Sequence, residues 1–168
     1  MSKARKFRVR SRLATLAFQP GGIMANQALK QAEAALEPLR GPGLAAIDAA
    51  IAEIDARYGP AAAGRANEPF EDLYRLCASI IDMGLFVPGS GLDDAARSFC
   101  GLVDLSHELD LWAWDAVDVH IEALRLLRSV GAAMSEPQRR SILDGLIQVT
   151  RKRVGDPDEY LDRAAATG

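Results

Sequence analysis

Between Leu29 and Val154 the apolar residues recur every three or four positions, and no stretch alternates with period two for long enough to form a strand. That single regularity restricts the chain to helices packed side by side, because an amphipathic helix can only bury its apolar stripe against another element. The expected fold class is therefore all-α, a single-domain helical bundle of about six helices. Its bounds are set by breaks in the pattern: a basic arm over residues 1–20, expected to be disordered, a bundle domain over 21–154, and a short C-terminal helix or tail over 155–168. At 168 residues the chain suffices for one domain with a proper core.

The helix boundaries follow from turn and cap residues. A first helix is expected from Ile23 to Leu39, carrying Leu29, Ala32, Leu36 and Leu39, and Gly41-Pro42-Gly43 should end it. The second carries Leu44, Ile47, Ile51, Ile54 and Tyr58 and stops at Gly59-Pro60, so the two should form an antiparallel hairpin. Asn67 before Pro69 reads as the cap of a third helix that turns Phe70, Leu73, Cys77, Ile80 and Ile81 inward. Ser90 and Asp93 have the spacing of a reciprocal cap for the fourth, and Asp115 is the cap expected for the fifth. Ser135 with Gln138, around Pro137, opens the sixth. Asp156, Pro157 and Glu159 announce a last short helix.

The fifth helix is the expected centre. At about 3.6 residues per turn, Ala116, Val117, His120, Ala123, Leu124 and Leu127 share one face, and Asp118, Glu122, Arg125 and Ser129 lie opposite. Val119, Ile121, Leu126 and Val130 widen the apolar arc, so neighbours are expected on two or three sides of it.

Composition limits the classes of function. No apolar run approaches the roughly 18 residues of a membrane-spanning helix. The two cysteines lie in helical patterns, which favours reduced thiols and a cytoplasmic setting. The first twelve residues hold six cations and no acid, while the whole chain carries a net charge of −3, so a basic arm precedes an acidic body. A secretory signal is not expected, since only the short LATLAF follows the cations. The arm could approach nucleic acid or an anionic surface, but no recognition helix or stacking set accompanies it, so nucleic acid is disfavoured as a partner.

Candidate chemistry is sparse. His120 could be a phosphoacceptor, since such histidines sit on helices of four-helix bundles. Its place in the middle of the apolar arc points instead to a hydrogen-bonded core residue. Cys77, Cys100, His107 and His120 exhaust the soft ligands, and they lack the short paired spacings of a zinc site, so no metal and no cofactor are expected. No nucleophile elbow or phosphate loop is present. Gly89-Ser90-Gly91 could aim amides at an anion, but Asp93 and Asp94 oppose one there. Trp112 and Trp114, on the turn between the central helices, could plug the end of the bundle or anchor a partner. A partner-binding surface is expected around Trp112, Trp114, Asp118, Glu122 and Arg125, with no catalytic residues.

Several stretches together resemble the alphaproteobacterial chemotaxis protein CheE family. They are RYGP at Arg57–Pro60, EDLY at Glu71–Tyr74, IID at Ile80–Asp82, PGSGLDDAARSFC at Pro88–Cys100 and WDAVDVHIEALRLLR at Trp114–Arg128, within about Pro20–Val130. The resemblance implies a small cytoplasmic accessory protein of a chemotaxis cluster, with no established reaction and no catalytic residues to carry over. Receiver or kinase components of chemotaxis or two-component signalling are the partners it implies, and a homodimer is left open.

Overall fold

The computed structural model describes residues 24–155. Among them are five α-helices and no strand: α1 Ala25–Tyr58, α2 Phe70–Met83, α3 Leu92–Glu108, α4 Trp114–Val130 and α5 Glu136–Arg153. Short 3-10 turns at Arg65–Asn67, Gly84–Phe86 and Gly131–Ala133 complete the path. The basic arm and the helix expected after Asp156 lie outside the described residues.

The chain forms two compact units that divide inside α1, between Leu39 and Arg40. In the first, Leu29, Leu36 and Leu39 are exposed, so the stripe that suggested a hairpin covers no core. The second holds the bundle. There α3 packs against α2, α4 and α5, and its Phe99, Leu102 and Val103 belong to one buried cluster with Leu73 and Ile80 of α2, Val117, Ile121 and Leu124 of α4, and Leu146 of α5. Ile47, Ile51, Ile54 and Tyr58 of α1 join the same core. Each such side chain contributes about 1.5–3 kcal/mol when fully buried.

The expected break at Gly41-Pro42-Gly43 does not occur, and α1 runs through it as one helix. A proline inside a helix removes one donor and costs about 3 kcal/mol, and here packing overrides that cost. Gly43 is buried, and a β-carbon on it would lie 2.2 Å from Phe86 Cδ2. The glycine thus serves as a notch for an aromatic ring rather than as a helix stop.

Three of the expected caps are also revised. Asn67 closes a 3-10 turn, and α2 begins after Pro69 without a side-chain cap. Ser90 Oγ accepts from the amide of Leu92 at 3.2 Å, not from Asp93, and the cap position of α3 is Gly91 in the left-handed region at φ 75°. Asp115 lies inside the first turn of α4, where its carboxylate accepts from the amide of Ala116 at 3.0 Å. The cap of α5 forms as expected, with Ser135 and Gln138 reciprocally bonded.

Candidate functional site

The turn between α3 and α4 carries both tryptophans. Asp110 takes a left-handed backbone at φ 48°, a conformation aspartate tolerates, and the amide of Leu111 donates to the carbonyl of Ser106 at 2.9 Å. This tight exit lays Trp112 flat on Phe70, with centroids 3.8 Å apart and planes at 13°. Trp114 stacks on the other side of Trp112 at 4.6 Å and 14°. The Arg65 guanidinium caps the stack 4.5 Å from the Trp114 centroid, and His107 meets Phe70 edge-on at 5.5 Å. Both indoles are half-buried, so they pack against each other and still present an edge to solvent.

The charged residues of the expected surface are brought together along the outward side of α4. Asp118 accepts from Arg65 at 2.6 Å, which places the cation between an indole face and a carboxylate. Arg125 pairs with Glu122 at 2.8 Å and also with Asp55 of α1. Arg128 pairs with Asp48. Next to these, Arg57 holds Glu53, Glu68 and Asp72. The hydrogen bond from Arg57 keeps the Asp72 carboxyl below its ordinary range, while burial pushes the Tyr58 phenol up to about 12. The Tyr58 hydroxyl donates to the carbonyl of Pro69 at 2.8 Å.

Sequence reasoning missed Arg65 and Phe70, which belong to a loop and to a different helix and carry no local signal for stacking. It also placed Val119, Leu126 and Val130 against neighbours on two or three sides of α4. They are instead exposed, at 44%, 42% and 43%. The spacing 119, 126, 130 sets them in one apolar strip beside Glu122 and Arg125.

His120 is fully buried. Its Nδ1 lies 2.8 Å from the carbonyl of Ala116, which can only accept, so Nδ1 holds the proton. Nε2 is then an acceptor for the Ser98 hydroxyl at 3.1 Å, and the ring lies 5.1 Å from Phe99. Burial pushes its pKa down to about 4. Both nitrogens are engaged and the ring has no surface, so a phosphoryl group cannot reach it without repacking of α3 against α4.

Cys77 and Cys100 are free, buried thiols, one on α2 and one on α3. Burial raises the Cys77 thiol, and the neighbouring Cys77 lowers that of Cys100. Among the described residues no group of three or more His, Cys, Asp or Glu is placed to hold a metal ion, and no helix is long and apolar enough to cross a membrane.

No protein-family model matches the chain, and neither a curated protein nor a solved structure matches it significantly.

Proposed function

We propose that the chain is a non-enzymatic adaptor that acts by binding other proteins through the outward side of α4 and the aromatic stack at its N-terminus. The observation that carries this reading is the exposed strip of Val119, Leu126 and Val130 bordered by Glu122 and Arg125. An apolar stripe with a charged margin on a rigid helix suits an amphipathic partner helix. The half-buried Trp114 beside Arg65 supplies an aromatic anchor of the kind enriched at interfaces. The likeness to CheE favours receiver or kinase components of a chemotaxis or two-component pathway, in the cytoplasm, as the partners.

The test is binding of purified kinase and receiver proteins from the same signalling cluster to the immobilised chain. Leu126→Glu, Arg125→Glu and Trp114→Ala should each weaken capture tenfold or more while the helical circular dichroism is retained. Equal capture by folded Leu126→Glu and Arg125→Glu variants, or no binding of any component, would overturn the reading.

A further inference from the structure

The segment between α1 and α2 is a strap with fixed ends and a middle that rests on α4. At its ends Arg57 holds Glu68 at 2.6 Å, and the Tyr58 hydroxyl donates to the carbonyl of Pro69 at 2.8 Å. No residue from 60 to 69 is buried, so the strap adds nothing to the core and belongs to the low-stability end of the fold. Arg65 ties its middle down. The Arg65 Nη1 donates to Asp118 at 2.6 Å and to the carbonyl of Tyr58 at 3.5 Å, and its Cζ lies 4.5 Å from the Trp114 centroid. The Arg65 and Asp118 side chains are 22% and 30% exposed, so water reaches the pair. Gly64, immediately before Arg65, takes φ 82° and gives the strap a hinge that needs no side chain.

From this arrangement we infer that Trp114 and Asp118 form a receptor for a guanidinium group, that Arg65 is its internal occupant, and that a partner protein binds by putting an arginine of its own in that place, an inference that rests on α4 being the partner-binding surface. The ligand's chemistry follows from the group the receptor already holds. When the strap lifts, an indole face and a carboxylate are left side by side, and a planar cation stacks on the one while it donates to the other. A lysine head is compact and strongly hydrated and suits the ring less. An acidic group would be repelled by Asp118. The neighbouring carboxylates are taken, since Glu122 holds Arg125 and Asp115 holds Arg153. Lifting the strap breaks a partly exposed ion pair and a ring contact and uncovers no core, so the exchange costs little. Arg65 therefore acts as a self-inhibitor of the aromatic anchor.

The full-length chain and its Arg65→Ala variant are titrated with N-acetylarginine amide, N-acetyllysine amide and N-acetylnorleucine amide at constant ionic strength, and the indole N–H signals are followed by two-dimensional NMR. In Arg65→Ala the arginine probe should shift the Trp114 signal saturably, the lysine probe should bind about threefold more weakly or worse, and the norleucine probe should have no effect. The unsubstituted chain should bind the arginine probe about tenfold more weakly than the variant, because Arg65 keeps the receptor filled. Adding Asp118→Asn to Arg65→Ala should weaken the arginine probe about tenfold. Shifts that stay linear with concentration, equal binding by the unsubstituted chain and Arg65→Ala, or equal binding of the lysine probe would overturn the assignment. An Arg65→Ala chain that no longer unfolds cooperatively would overturn it too, since Arg65 would then be framework and not an occupant. The titration contains no signalling protein, so it decides on this receptor whether or not kinase or receiver components are captured by α4.

Discussion

Between about pH 6.5 and pH 4 the unfolded chain takes up a proton at residue 120 that the folded chain refuses. The folded pKa lies below the unfolded one, so the neutral ring's contribution is complete above the unfolded value and declines as the pH falls through that window. A difference of about 2.5 units corresponds to about 3 kcal/mol lost by pH 4. Urea midpoints at pH 7 and pH 5 should therefore differ, and His120→Gln should flatten that difference while lowering stability at pH 7. An unchanged slope in the variant would mean that another group governs the acid limb. The burial of this ring was legible in the sequence, because positions 116, 117, 120, 123, 124 and 127 mark one face. Its tautomer was not, because Ser98 sits 22 residues away on another helix and only packing brings the two together.

The element that departs most from its sequence pattern is α1. Local propensity marks Gly41-Pro42-Gly43 as a stop, and the reason it is not one lies at Phe86, whose ring occupies the space a side chain on residue 43 would need. No local window contains both residues. The two glycines should respond oppositely to alanine. Gly41→Ala, with nothing within 4 Å, should gain up to about 1 kcal/mol from helix propensity. Gly43→Ala should lose about 1–3 kcal/mol as Phe86 is displaced. Chemical denaturation of the pair decides the matter, and a stabilising Gly43→Ala would refute the notch. Caps show the same division: Ser135 and Gln138 are three residues apart and were readable, whereas the charges around Arg57 come from three separate segments.

For the molecule as a whole, the all-helical class of the described residues followed from periodicity alone, while the division inside α1 did not, since the Gly41-Pro42-Gly43 signal beside it reads as the end of a helix and not as a boundary within one. Arg40 onward contains every buried residue of the shared core. A chain starting at Arg40 should therefore fold, with a urea midpoint close to that of the full protein and an unchanged near-ultraviolet spectrum. Loss of cooperative unfolding on this deletion would show that residues 1–39 support the core. The face-to-face contact of Trp112 and Trp114 has a practical corollary. They are the protein's two tryptophans, so red-edge fluorescence comes entirely from one corner, and their coupled transitions give that corner its own circular dichroism couplet. A partner that settles there will be visible optically without any label.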